Sequence, residues 1–199
     1  MFSGIIEHQA RILHIENGLF RVENVFSDRD DSRDEPLHTG QSIAHDGACM
    51  TLTRVTENSY EFFAMQESLR VTNLGTKKVW DTLNVERSMR LWDRIDGHMV
   101  SGHVDTVASV KRLEKQSDGS LIYGVVFDPE YDPLIIQKGS IAINGTSLTL
   151  VEVWSGYFTV SLIPLTQDWT NLWRSHIGES VNLEFDMIGK YISKLKDNN

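Results

Sequence analysis

The chain has 199 residues, of which 40% are hydrophobic and 24% are charged, which is typical of a globular protein with one large or two small domains. Its formal net charge of −9 argues against a nucleic-acid partner, and its single cysteine, Cys49, excludes an internal disulfide framework. No apolar run is long enough to span a membrane and nothing resembles a signal peptide, so we expect a cytoplasmic protein.

The sequence repeats itself at an offset of 98 residues. The matching blocks are MFSG and MVSG (1–4 and 99–102), SIAHDGACMTL and SIAINGTSLTL (42–52 and 140–150), TNL (72–74 and 170–172), and NVE and NLE (84–86 and 182–184). Because separate blocks agree on one offset, we predict a tandem duplication with domains 1–98 and 99–187 and a tail at 188–199. Each copy is large enough to hold its own core.

In chain order, each copy consists of short strand-like runs with turn signals between them. The predicted strands are 42–45, 49–55 and 60–63 in the first copy, and 121–127 and 157–162 in the second, with one helical turn per copy at 67–73 and 166–172. Asp46-Gly47 and Asn144-Gly145 predict two-residue hairpin turns, because both central residues of such a turn need positive φ. This pattern predicts a small barrel or sandwich in each copy.

The tail is predicted to be helical. Ile188, Tyr191, Ile192 and Leu195 fall on one helical face. A helix this short is marginal alone in water, so it packs either on its own barrels or on another subunit.

Positions at which the two copies differ in chemical type are candidates for catalysis. These pairs are Ile5 and His103, Cys49 and Ser147, Gly40 and Lys138, and Ser88 and Asp186. His103 is either a proton-transfer group or a histidine hydrogen-bonded at a strand end. Cys49 is either a nucleophile or a small buried hydrophobe. These differences predict two similar pockets, one of which carries additional reactive residues. Such a pair suits a reaction between two copies of one molecule.

A metal site is not predicted. His98 and His103 would face opposite sides of a continuous strand, and no cysteine or carboxylate cluster completes a ligand set. The default interpretation of Lys138 and of Asp186 is that each is an ordinary charged residue at the protein surface.

The segments MFSGIIE, GACMTL, GTSLTL, SGHVD and VNLEFDMIGKY resemble the riboflavin synthase α-chain family, over nearly the whole chain. The resemblance implies an all-β fold of two tandem six-stranded Greek-key β-barrels plus a C-terminal α-helix, assembled as a homotrimer with active sites between subunits. It implies a transferase that needs no metal or organic cofactor. Two molecules of 6,7-dimethyl-8-ribityllumazine exchange a four-carbon unit, giving riboflavin and 5-amino-6-ribitylamino-uracil. The resemblance also suggests an assembly with lumazine synthase.

Matching motifs carry over the family's site residues. The expected catalytic residues are His103, Cys49, Ser147, Thr149 and Asp186. The expected first substrate pocket comprises Phe2, Gly4, Ile5, Ile6, Ser42, Met50, Thr51, Phe63, Ala64, Met65, Gln66, Glu67 and Ser68. The expected second pocket comprises Gly102, Val104, Lys138, Leu148, Leu162, Ile163, Pro164, Leu165 and Thr166. By this resemblance His103 transfers a proton, Cys49 or a water assists the nucleophilic step, and Asp186 polarises or orients.

Two alternatives remain open. Lumazine-binding fluorescent proteins resemble this scaffold and hold a lumazine or a flavin as an optical antenna without converting it. A structural duplication that serves only to build an oligomer, with no ligand, is the other alternative.

Overall fold

The computed structural model describes residues 1–27 and 36–196, and within them twelve strands form two closed antiparallel barrels. The first barrel contains β1 (His8–Glu16), β2 (Leu19–Glu23), β3 (Ser42–His45), β4 (Ala48–Val55), β5 (Ser59–Phe63) and β6 (Thr82–Arg87). The second contains β7 (Thr106–Lys115), β8 (Leu121–Val126), β9 (Ser140–Ile143), β10 (Thr146–Trp154), β11 (Tyr157–Leu162) and β12 (Ser180–Phe185).

The two barrels have the same strand order. Around the first barrel the order is β1-β2-β5-β4-β3-β6, and around the second it is β7-β8-β11-β10-β9-β12. Buried aliphatic and aromatic side chains fill each barrel, so each has its own core. The predicted fold of two tandem Greek-key barrels is confirmed.

The predicted hairpin turns lie where the barrels touch. Asp46 and Gly47 have φ of 45° and 82°, and Asn144 and Gly145 have φ of 44° and 76°, so both central residues of each turn are left-handed. A Cβ on Gly47 would lie 2.8 Å from the Gly145 backbone nitrogen, and the reverse distance is the same. Glycine is therefore required here both by the turn and by the contact between the barrels.

Buried amides join the two barrels around these turns, and we call this contact the seam. The backbone N–H of Asn73 donates to the Asn182 side-chain oxygen over 2.6 Å, and that of Asn171 donates to Asn84 over 2.7 Å. The two bonds are equivalent under the 98-residue offset, which gives the seam an approximate two-fold symmetry. Pairing these polar groups removes the cost of burying them.

One ion pair breaks the symmetry of the seam. Asp46 is fully buried and lies 2.8 Å from the Lys77 ammonium, whereas the second copy has the neutral residues Asn144 and Ser175 at the equivalent positions. Burial alone would lower the pKa of Lys77, but the Asp46 carboxylate raises it above its ordinary value. Lys77 is therefore charged and neutralises Asp46.

Within the described ranges, three short α-helices accompany the barrels. Helix α1 (Gln66–Val71) and helix α2 (Pro164–Trp169) are each followed by a 3₁₀ turn, at Asn73–Thr76 and Asn171–Arg174. Helix α2 begins two residues before the predicted 166–172, because Pro164 suits the first helical position, where no N–H is needed. A further 3₁₀ segment spans Pro129–Leu134.

Helix α3 (Met187–Lys196) confirms the predicted C-terminal helix, and residues 197–199 of the predicted tail lie outside the described residues. The Asp186 carboxylate accepts a 3.0 Å hydrogen bond from the Ile188 N–H and so caps the first turn. Lys190 pairs with Asp105 at 2.6 Å, which ties the helix to the second barrel. In the described part of the chain, every helix is too short or too polar to cross a membrane.

Candidate functional site

The strand β4 directs Cys49 and Thr51 away from the core of the first barrel. Ala48, Met50 and Leu52 alternate with them and are buried, as the two-residue period of a strand requires. Cys49 is half-buried and packs against a small apolar cluster that contains Phe2 and Val100, so both of its sequence interpretations stay open.

A cleft of about 780 Å³ opens beside Cys49, a size that suits a small-molecule ligand. Of the predicted residues, Ile5, Ser42 and Cys49 line it, and Ser42 faces Thr51 directly across the β3–β4 pair. The cleft also contains the Arg87 guanidinium, which pairs with Glu7 at 2.7 Å and was not predicted.

The opening segments of the two copies meet at the seam. Phe2 and Val100 form an antiparallel bridge there, with hydrogen bonds of 2.7 and 3.0 Å between their backbones. The N–H of Cys49 donates to the Gly102 carbonyl over 2.8 Å, and the N–H of Ser147 donates to the Gly4 carbonyl over 2.7 Å. Each opening therefore contacts the strand of the other barrel that carries the candidate reactive atom.

Phe2 lies inside this contact and is fully buried. A Cβ on Gly102 would approach the Phe2 ring to 2.8 Å. The ring therefore supports the Gly102 segment from within the seam.

On the second barrel, Ser147 occupies the position equivalent to Cys49, and its hydroxyl lies 2.7 Å from Nδ1 of His98. His98 is buried, and among the residues that the structure describes its Nε2 has no hydrogen-bond partner. Burial lowers the pKa of His98 below its ordinary value, while the charge of Asp186 acts in the opposite direction. The pair therefore couples a hydroxyl to a largely neutral imidazole, which is able to accept a proton.

Sequence comparison missed His98 as a partner of Ser147. His98 is the last residue of the predicted first copy, and the residue 98 positions later, Lys196, lies in the tail, so comparing the two copies cannot reveal it. His98 and His103 also lie between strands rather than on one, so the strand argument about their relative orientation does not apply.

Two glutamates, Glu86 and Glu184, were also missed as functional residues. Each accepts hydrogen bonds from an opening segment of its own copy. Burial raises the pKa of Glu86 to about 7, although the N–H and hydroxyl donors of Ser3 oppose this shift. Their signal was present in the repeated NVE and NLE blocks, because a polar residue retained in both copies serves something that both barrels need.

The remaining predicted residues divide by exposure. His103, Lys138 and Thr149 are exposed, as are Phe63, Met65, Gln66, Glu67, Ile163, Pro164 and Leu165, while Ser68, Val104 and Thr166 are half-buried. Ile6, Met50, Ala64, Leu148 and Leu162 are buried. The buried residues support the site from the interior, whereas the exposed apolar ones leave an uncovered rim on each barrel.

Two of the differences between the copies have structural consequences. Lys138 has a φ of 68°, close to the 89° of its counterpart Gly40, so the lysine is placed in the same left-handed turn. Asp186 caps helix α3 and also influences His98 electrostatically. Among the described residues, no three His, Cys, Asp or Glu side chains form a group able to hold a metal ion.

A family model described as "Lumazine binding domain" matches the chain twice, at residues 3–88 and 101–186. The chain belongs to the lumazine-binding domain family. The two matches coincide with the two barrels and with the openings that cross between them. The predicted resemblance is confirmed.

Its relatives include curated proteins named riboflavin synthase. The one from Escherichia coli (strain K12) is 40% identical over 94% of this chain and 87% of its own length. That of Schizosaccharomyces pombe is 37% identical over 98% and 93%, and that of Bacillus subtilis (strain 168) is 36% identical over 96% and 88%.

Solved structures of LumP share the fold. LumP complexed with 6,7-dimethyl-8-(1'-D-ribityl) lumazine has a TM-score of 0.78 at 19% identity, and LumP complexed with riboflavin has a TM-score of 0.80 at 20% identity. Each similarity covers 93% of this chain and 99% of the LumP chain. At these identities the similarity concerns the architecture.

Proposed function

We propose that this chain is a riboflavin synthase, a transferase that converts two molecules of 6,7-dimethyl-8-ribityllumazine into riboflavin and 5-amino-6-ribitylamino-uracil. The observation that carries the proposal is the repeated arrangement of a reactive side chain beside a glycine opening. Cys49 occupies that position in one barrel and Ser147, with His98, in the other. Identity of 33–40% to riboflavin synthases over nearly the whole chain supports it.

The reaction needs a base for a methyl proton of one lumazine and a nucleophile that adds to the other. The lumazine ring stabilises the carbanion, so the protein mainly orients the two molecules and moves protons. In this proposal Cys49, in the first-barrel cleft, acts at the nucleophilic step, and His103 and Ser147 transfer protons. Thr149 lies on the same outward face of β10 as Ser147 and assists, and Asp186 orients His98.

The proposal includes a homotrimer in which sites form between the first barrel of one subunit and the second barrel of its neighbour. The exposed apolar rims at Phe63, Met65, Ile163 and Leu165 support this arrangement, because a partner would cover them. On helix α3, Ile188, Tyr191, Ile192 and Leu195 are 62–67% exposed and form a further candidate contact. The proposed location is the cytoplasm, and an assembly with lumazine synthase is part of the same hypothesis.

A second candidate function is a lumazine or flavin antenna that binds without conversion. The observation behind this second candidate is the fold shared with LumP complexed with riboflavin, at a TM-score of 0.80. The two functions separate on chemistry alone, because an antenna protein needs tight binding and no proton transfer.

The deciding experiment mixes the purified protein with 6,7-dimethyl-8-ribityllumazine without any added cofactor and follows riboflavin absorbance. Riboflavin at about half the molar amount of lumazine consumed is the expected result, since two substrates give one riboflavin. Variants Cys49→Ala and His103→Ala serve as matched controls and should be much slower while binding is retained. Tight binding without any riboflavin would replace the proposal with the antenna function.

A further inference from the structure

Two buried glutamates hold the two opening segments by identical sets of hydrogen bonds. The Glu184 carboxylate accepts from the Ser101 N–H at 2.6 Å, the Ser101 hydroxyl at 2.7 Å and the Gly102 N–H at 3.0 Å. Glu86 accepts from Ser3 and Gly4 in the same way, over 2.7, 2.8 and 3.0 Å. Each carboxylate thus fixes three donors of one tight loop.

The segment that Glu184 fixes acts on the other barrel. Gly102 presents its carbonyl to the Cys49 N–H, and a Cβ on Gly102 would lie 2.6 Å from the Cys49 Cβ, so the two backbones are in close contact. The Ser101 hydroxyl, itself bound to Glu184, accepts a 3.1 Å bond from the His103 N–H. A single carboxylate on β12 is therefore linked through one loop to the backbones of both His103 and Cys49.

We propose that Glu184 is a positioning residue for the Cys49 site of the first barrel, acting across the seam through Ser101 and Gly102. The role in catalysis rests on the proposed function, whereas the effect on Cys49 does not. By the two-fold relation of the copies, Glu86 holds Gly4, whose carbonyl contacts Ser147 of the second barrel. Glu86 thus reaches the Ser147 backbone through Gly4, as Glu184 reaches the Cys49 backbone through Gly102, although Glu86 also lines the Cys49 cleft.

Both carboxylate oxygens of Glu184 are used in this arrangement. A carboxylate has two acceptor oxygens, and hydrogen bonds to a charged acceptor are the stronger ones. In Glu184→Gln the side chain keeps its size, but one oxygen becomes an NH₂ group that faces an N–H donor. One anchoring bond is lost without a cavity being created, so the loop loosens while the barrel core is retained.

Cys49 is the only cysteine of the chain, which makes its alkylation by iodoacetamide a direct measure of its surroundings. We would measure the rate from pH 6 to 10 and extract the limiting rate constant of the thiolate, which reports access, separately from the thiol pKa, which reports charge. Glu184→Gln is expected to raise the limiting rate at least about fivefold, because the Gly102 backbone that covers the Cys49 Cβ is released.

Glu86→Gln is the matched control. Glu86 holds Gly4, which contacts Ser147, and not Gly102, which covers the Cys49 Cβ, so Glu86→Gln is expected to leave the limiting rate within about twofold. A limiting rate in Glu184→Gln within twofold of the wild type, or an equal increase in both variants, overturns the proposal. If Glu184→Gln fails to fold, Ser101→Ala against Ser3→Ala gives the same comparison, because each removes one hydroxyl of the two anchors.

Steady-state kinetics complete the test. If Glu184 positions reactive groups, Glu184→Gln lowers kcat about tenfold or more with a smaller change in KM, since small displacements of reacting groups are costly. An alkylation effect without any riboflavin formation in the wild type would keep the positioning role and reject the proposed function. A kcat unchanged in Glu184→Gln would reject the catalytic part of the role.

Discussion

Replacing His45 with isoleucine and Tyr60 with phenylalanine is expected to remove an acid-sensitive element from the first barrel. His45 is fully buried, its Nε2 lies 3.0 Å from the Tyr60 hydroxyl, and its ring centroid is 4.3 Å from that of Phe62. At the equivalent positions the second barrel has Ile143 and Phe158, which are also fully buried. The double variant therefore introduces a pair that already packs in this fold.

The magnitude follows from the pKa of His45, which burial lowers from 6.5 to about 3. Because folding favours the neutral ring, the stability that His45 contributes is fully present above pH 6.5 and is lost as the pH falls towards 3. Each pKa unit corresponds to about 1.4 kcal/mol, so going from about pH 7.5 to about pH 5 removes about 2 kcal/mol of unfolding free energy. The double variant has no histidine at position 45 and therefore keeps this part of its unfolding free energy at about pH 5.

Urea unfolding followed by tryptophan fluorescence at both pH values measures the effect. At about pH 7.5 the exchange of both hydrogen-bond partners for apolar groups is nearly neutral, and at about pH 5 the variant should be relatively more stable by about 2 kcal/mol. Glu86 titrates in both proteins, with its pKa raised to about 7, and cancels from the difference. A difference that is the same at both pH values would refute the reasoning.

The single variant His45→Ile is the control for packing. It leaves the buried Tyr60 hydroxyl without its partner, so it should be destabilised by about 1–3 kcal/mol near pH 7.5.

Two further predictions concern the seam and the C-terminal helix. Lys77→Met leaves the fully buried Asp46 carboxylate without its cation and should lower the unfolding free energy by about 3–5 kcal/mol, while adding Asp46→Asn, the residue type of the second copy, should restore most of it. Urea unfolding checks both variants, and a single variant as stable as the wild type would contradict the prediction. Truncation after Asp186 removes the exposed apolar face of α3 and should give monomers or weaker trimers in size-exclusion chromatography. A trimer unchanged by dilution would exclude a role of the helix in assembly.

Local turn chemistry and strand periodicity were readable from the sequence because they depend on neighbouring residues. Asp46-Gly47 and Asn144-Gly145 form the predicted turns, and the alternation on β4 places Cys49 on the outer face. Helix α2 begins at Pro164, two residues before the predicted start, because proline favours the first position of a helix.

The missed part of the site is the part that depends on contacts between the copies. Comparing the repeats identifies equivalent residues, but it does not tell which copy touches which, so the contacts of Gly102 with Cys49 and of Gly4 with Ser147 were not predicted. His98 has no equivalent in the second copy, and its role depends on reaching Ser147 in space. The sequence pattern therefore indicates the candidate reactive residues, whereas their hydrogen-bond partners depend on how the two copies pack together.

The ion pair between Asp46 and Lys77 gives this duplicated protein a way to distinguish its own two halves. If two first barrels met through the same surface, two Asp46–Lys77 pairs would be buried close together, whereas the native contact places the neutral Asn144 beside Asp46, with the Asn73 side chain donating to both. If two second barrels met, the charge would be absent altogether. One buried ion pair at the centre of a nearly symmetric contact therefore favours the pairing of unlike halves.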